Sequence, residues 1–154
     1  MLFSDIQNPT YVVWAFAFQL VLIAFFALRR LNLDLAVKYG WVIYALSLPS
    51  IVVSIQQINA GNSWTFWVGG FIYLAWSVLG FLVEYVLNLT WRSPIVLRIF
   101  VPYVGLYLAT VMFYWWPLGE IHKGYWYGAA LLFVLSTILN VTSHRKQIHS
   151  GTTS

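Results

Sequence analysis

Five long apolar stretches, separated by short polar connections, dominate the chain. Each approaches the length of about 20 residues that a helix needs to cross roughly 30 Å of hydrocarbon. We therefore predict five transmembrane helices over 10–28, 39–58, 64–87, 94–116 and 124–141. Because the connections are short, neighbouring helices are expected to be antiparallel in one compact bundle spanning the single domain 1–154, with a polar tail at 142–154.

The composition agrees with this all-α membrane fold. Apolar residues make up 61% of the chain and charged residues only 8%, whereas soluble domains carry about 25% charged residues. We expect a multi-pass protein of the plasma or inner membrane, with the lipid bilayer as its main partner. The net charge of +4 is scattered over the connections, so no nucleic-acid partner is expected.

Lysine and arginine residues predict the orientation in the membrane, because they concentrate on the cytoplasmic side. On one side, the connections and the tail carry seven of them: Arg29, Arg30, Lys38, Arg92, Arg98, Arg145 and Lys146. The other side carries only Lys123. This alternation predicts an N-terminus outside and a cytoplasmic C-terminus.

Pro49 leaves an alternative for the second stretch, which is either a span or a re-entrant loop. A re-entrant loop would place a basic and an uncharged connection on one side and break the charge alternation. We therefore favour a span in which Pro49 kinks the helix and leaves a backbone carbonyl without its usual donor.

Aromatic residues cluster at the predicted outer ends of the spans: Tyr11, Trp14, Trp64, Trp67, Tyr114, Trp115, Trp116, Tyr125, Trp126 and Tyr127. They are interpreted either as an interfacial belt or as an outer mouth that binds an apolar or cationic ligand. Trp76 does not fit the belt, since it is predicted near mid-membrane.

Polar residues within the spans repeat at helical spacing. On the third span they comprise Gly70, Tyr73, Ser77, Gly80, Glu84 and Asn88, and on the second Ser47, Ser50, Ser54 and Gln57. Gln19 lies midway along the first span. These faces predict a central third helix, with either a packing seam of small residues or the wall of a polar cavity.

Glu84 and Arg98 lie about equally far from the predicted turn between the third and fourth spans, so a hairpin brings them to similar depth. Structurally, the two residues form an ion pair that fixes the hairpin register, or Arg98 extends to the membrane interface. Functionally, they form a charged site that binds a polar headgroup or relays a proton.

The sequence lacks the residues that several kinds of catalytic and metal site require. The chain has no cysteine, and its histidines all lie outside the spans. The usual hydrolase, zinc and phosphate-binding motifs are missing. We therefore expect no cofactor and no metal site. An intramembrane enzyme using Glu84 as acid or base is the least favoured function.

The favoured function is binding or transport of a small hydrophobic or amphipathic molecule between the second, third and fourth helices. The candidate ligand-binding residues are Glu84, Arg98, Tyr73, Ser77, Trp76, Ser50, Ser54, Gln57 and Tyr103. The alternative is a non-catalytic accessory or assembly subunit of a larger membrane complex. A homo-oligomer is also compatible with the glycine-rich surfaces of the third helix.

Chain length, five predicted spans and nine tryptophans resemble the TspO family of tryptophan-rich sensory proteins. The Trp-Pro-Pro stretch of that family is missing, so the resemblance implies no site residues here.

Overall fold

The computed structural model describes residues 4–89 and 95–150, and the side chains of 9–89 and 95–142. These ranges are helical and contain no β-strand. The elements are α1 (Ser4–Leu31), α2 (Leu33–Tyr39), α3 (Trp41–Ala45), α4 (Ser47–Asn59), a 3₁₀ turn (Trp64–Phe66), α5 (Val68–Phe81), a π-helical turn (Leu82–Val86), α6 (Leu97–Trp115), α7 (Leu118–Ile121) and α8 (Lys123–Ser150).

The prediction of five membrane-spanning helices is confirmed at the level of length and apolar character. The segments that are long and apolar enough to cross a bilayer are Pro9–Leu31, Leu33–Asn59, Trp64–Val86, Leu97–Ile121 and Lys123–Thr142. The protein is therefore described as a multi-pass integral membrane protein.

The structure adds detail at the ends of the predicted spans. The second span consists of three helical segments, α2, α3 and α4, and α8 continues past its predicted end to Ser150. Residues 90–94 lie outside the described residues, and they comprise most of the predicted third connection, with Arg92, and the first residue of the predicted fourth span. The side chains of Arg145 and Lys146 also lie outside them.

Ring contacts give the relative directions of three spans. The pairs Tyr11–Phe66 and Phe18–Tyr73, with centroids 5.1 Å and 4.9 Å apart, advance in the same direction, so α1 and α5 run parallel. The pairs Trp64–Phe113 and Trp76–Tyr103 advance in opposite directions, so α5 and α6 are antiparallel. The third span packs against both the second and the fourth, and α8 packs mainly against α1.

Aromatic side chains form much of the core. Tyr11 and Tyr114, which the sequence placed in the outer aromatic belt, are buried instead. The Tyr11 hydroxyl donates to the Phe113 carbonyl oxygen at 2.7 Å, and the Tyr114 ring lies 5.0 Å from that of Phe18. A buried tyrosine usually makes such a hydrogen bond, and α6 supplies the acceptor.

Candidate functional site

The polar faces of the second and third spans meet, as their spacing predicted. Ser47, Ser50, Ser54 and Gln57 are buried on α4, and Gly70, Tyr73, Ser77 and Gly80 are buried on α5. Gly70 lies against the Ser50 backbone and the Ser54 hydroxyl, where an added Cβ would collide. Small residues thus allow close approach of the two helices.

The second span is interrupted near Pro49, as predicted, and its backbone carbonyls find side-chain donors. The Ser47 hydroxyl donates to the Tyr44 carbonyl oxygen at 2.7 Å. The Tyr73 hydroxyl donates to the Ile43 carbonyl oxygen across the helix interface. These bonds satisfy acceptors around a break caused by a residue without an N–H group.

Trp76 is at the centre of a cluster of tyrosine rings. Its ring centroid lies 5.7 Å from those of Tyr44 and Tyr73 and 5.5 Å from those of Tyr103 and Tyr107. The five rings come from the second, third and fourth spans, and they lie in the region in which the sequence predicted a cavity.

Glu84 belongs to a short chain of hydrogen bonds. The Tyr44 hydroxyl donates to Glu84 Oε2 at 2.8 Å and lies 3.1 Å from the Tyr103 hydroxyl. Since Tyr44 has one hydroxyl proton and gives it to the carboxylate, Tyr103 is the donor in the second bond. We call Glu84, Tyr44 and Tyr103 the carboxylate–tyrosine cluster.

Two glycines hold the aromatic side chains of this region in place. A Cβ at Gly80 would lie 2.5 Å from Tyr44 Cε1, so only glycine lets the Tyr44 ring lie against α5. A Cβ at Gly40 would lie 2.7 Å from the Tyr85 hydroxyl, which donates to the Val37 carbonyl oxygen at 3.1 Å. The second and third spans are therefore in close contact both before and after Glu84 in the third span.

Glu84 itself lies in the π-helical turn Leu82–Val86. The turn is marked by the bond from the Leu87 N–H to the Leu82 carbonyl oxygen at 2.8 Å, and Asn88 ends it with a left-handed backbone, φ 47°. Single π turns inside α-helices occur often at functional sites.

The structure brings most of the predicted residues together but not all. Tyr73, Trp76, Ser77, Glu84 and Tyr103 lie around α5 at or near the cluster. Ser50 and Ser54 lie further along the same interface, and Ser50 hydrogen-bonds the Tyr114 hydroxyl.

Two predicted residues lie apart from the cluster. Gln57 Oε1 accepts from Asn62 Nδ2 at 2.7 Å, at the opposite end of the bundle. Arg98 is exposed on α6, and the predicted pair with Glu84 is not among the contacts of the described residues. Similar depth in a hairpin does not determine which way each side chain points around its helix.

Tyr44 is the functional candidate that the sequence analysis missed. It stands three residues before Ser47 and therefore continues the polar face of the second span, which is the signal that identifies it. In the sequence alone it resembles any other aromatic residue, and only the structure shows that its hydroxyl reaches Glu84.

Two clefts in the described part of the chain lie away from the cluster. One, of about 240 Å³, is lined by Gly119, Lys123, Trp126 and Tyr127. The other, of about 370 Å³, lies between α1 and α4 and is lined by Pro9, Thr10, Val13, Trp14, Ala17 and Val53.

No model of a known protein family, no curated protein and no solved structure matches this chain.

Proposed function

We propose that the protein binds and carries a small amphipathic molecule whose polar group is recognised by the carboxylate–tyrosine cluster. One observation carries this proposal: a carboxylate within a membrane span is held by a directed chain of two tyrosine hydroxyls. Ionisable groups in hydrocarbon are costly and usually serve a substrate, an ion or a proton.

The burial of the cluster supports an amphipathic ligand. Glu84 and Tyr103 are half-buried, whereas Tyr44 and Trp76 are buried. We therefore expect a polar group to approach the cluster from its half-buried side, at Glu84 and Tyr103. The apolar part of the molecule then lies along the aromatic rings and the lipid-facing surface. In ligand sites generally, apolar side chains provide most of the contact area and a few polar groups orient the ligand.

The carboxylate favours a ligand head that donates hydrogen bonds, such as a hydroxyl or an amine. An ionised carboxylate only accepts, and hydrogen bonds to it are stronger than neutral ones. With the proposed orientation, the N-terminus outside, the cluster lies near the cytoplasmic surface of the bilayer.

Analysis of co-purified molecules tests the proposal. The wild-type protein, Glu84→Gln and Tyr44→Phe are purified in mild detergent, and bound molecules are extracted and identified by mass spectrometry. Loss of a hydrogen bond to a charged group costs about 1.5–3 kcal/mol. We therefore expect one amphiphile to be enriched on the wild type and depleted about tenfold or more on Glu84→Gln.

Glu120→Gln is the matched control, because Glu120 is exposed at the other end of the bundle. It makes the same chemical change and is expected to retain the wild-type extract. Identical extracts from Glu84→Gln and wild type, containing bulk membrane lipid alone, would contradict the proposal.

A second function, that of an accessory subunit, is favoured by the uneven burial of the spans. In the most apolar part of the fourth and fifth spans, 17% and 11% of the residues are buried, against 44% in the third. These two helices leave broad apolar faces for lipid or for other membrane helices. Stoichiometric proteins in the same purified samples, without an enriched amphiphile, would favour this function over ligand binding.

A further inference from the structure

Three buried polar side chains near the middle of the spans have no hydrogen-bond partner among the described residues. They are the amide of Gln19, Nε1 of Trp76 and the hydroxyl of Ser77. Their exposed fractions are 3%, 4% and 3%. Buried polar groups in native proteins are almost always hydrogen-bonded, so each of these requires a partner.

The three groups lie at one level. Since α1 and α5 run parallel with Phe18 against Tyr73, Gln19 and Trp76 differ by two residues in depth, or roughly 3 Å along the helix axes. Trp76 and Ser77 are adjacent in the chain. The level is close to the middle of the first and third spans.

Trp76 and Ser77 also border the break in the second span. The Trp76 ring contacts that of Tyr44 on α3. Ser77 lies on its helix face between Tyr73, which bonds the Ile43 carbonyl, and Gly80, which lies against the Tyr44 ring. Pro49 has no N–H, so the Ala45 carbonyl lacks its α-helical donor at the same break. Donors and acceptors are therefore both present.

We propose that this level binds a small hydroxyl-type oxygen, which accepts a hydrogen bond from the Trp76 N–H and exchanges one with Ser77. Such an oxygen belongs either to a bound water or to a hydroxyl of the amphiphile. In the second case the inference rests on the proposed function. A polar site with several partners is the kind that retains water inside a protein.

The sign of a stability change gives the first test. A hydroxyl that has no partner destabilises the protein, so Ser77→Ala would then raise the melting temperature. A hydroxyl that bonds the proposed oxygen stabilises it, and we expect Ser77→Ala to lower the melting temperature by roughly 2–4 °C. Ser63→Ala, at an exposed position, is the control and is expected to have little effect. A raised melting temperature for Ser77→Ala would overturn the proposal.

The indole N–H of Trp76 gives a second test in the unmodified chain, which stays informative if Ser77→Ala does not fold. The protein is labelled with ¹⁵N-tryptophan, and the resonance is assigned with Trp76→Phe. We expect a cross-peak from this N–H to a non-protein proton. A cross-peak to water that persists after delipidation identifies water. One that disappears on delipidation and returns with the extract identifies the amphiphile.

An indole N–H with no cross-peak to water or to any other non-protein proton, before and after delipidation, would exclude the site. A cross-peak to water also separates this inference from the proposed function. It can be observed even when no amphiphile is enriched on the purified protein.

Discussion

At the scale of single residues, a glycine determines how Tyr44 reaches Glu84. Tyr44 reaches the carboxylate because its ring lies against the surface that Gly80 leaves open. Gly105, in contrast, has no atom within 4 Å of the position that a Cβ would take. The two glycines therefore differ in what they contribute to packing, although both lie inside helices.

We expect Gly80→Ala to destabilise the protein by about 1–3 kcal/mol through overpacking against Tyr44. Better helix propensity offsets at most about 1 kcal/mol of this. Gly105→Ala is the matched control and is expected to be neutral or stabilising, because it gains propensity without a collision. Thermal unfolding of both variants in detergent measures the difference. Equal melting temperatures for the two variants would show that the Tyr44 contact has no energetic weight.

At the scale of elements, the break in the second span places α3 where Tyr44 faces α5. The break is stabilised from the neighbouring helix, since the Tyr73 hydroxyl donates to the Ile43 carbonyl oxygen. Within a membrane no water is available to replace such a donor. The third span thus stabilises the break between the helical segments of the second span.

Tyr73→Phe tests this arrangement, since it removes one hydroxyl and keeps the ring. We expect a loss of about 1–3 kcal/mol of stability, because the buried Ile43 carbonyl loses a donor. Tyr125→Phe, whose ring is exposed on α8, is the control and should leave the melting temperature near that of the wild type. A wild-type melting temperature for Tyr73→Phe would mean that the break needs no donor from α5.

At the scale of the whole molecule, the open question is orientation. The alternation of basic residues predicts the N-terminus outside, and this orientation remains a prediction. It places the carboxylate–tyrosine cluster near the cytoplasm, and it places the Lys123 cleft outside. The absence of cysteine from the chain makes the orientation directly measurable.

Single cysteines are introduced as Ser63→Cys and Asp34→Cys, both at exposed positions near opposite ends of the second span. With a membrane-impermeant maleimide, we expect Ser63→Cys to be labelled in intact cells and Asp34→Cys only in inside-out vesicles. The cysteine-free wild type is the labelling control. The opposite pattern would place the N-terminus in the cytoplasm.

Much of the local structure could be predicted because hydrophobicity and helical spacing are properties of short segments. The five spans and the buried polar faces of α4 and α5 follow from them. The pairing of Glu84 could not be predicted in this way. The sequence pointed to Arg98, which is oppositely charged, whereas a bond from Tyr44, forty residues away in sequence, appears only in the structure.

The amino-acid sequence by itself determined that this is a helical membrane protein of five spans, because a chain with 8% charged residues cannot cover a water-facing surface. It also determined which helix faces are polar. Only the tertiary structure decided what those faces contain: tyrosine and tryptophan rings between three spans, a carboxylate that accepts from Tyr44, and polar groups of Gln19, Trp76 and Ser77 without partners among the described residues. These depend on the rotation and register of packed helices, which are properties of several segments together and of no segment alone.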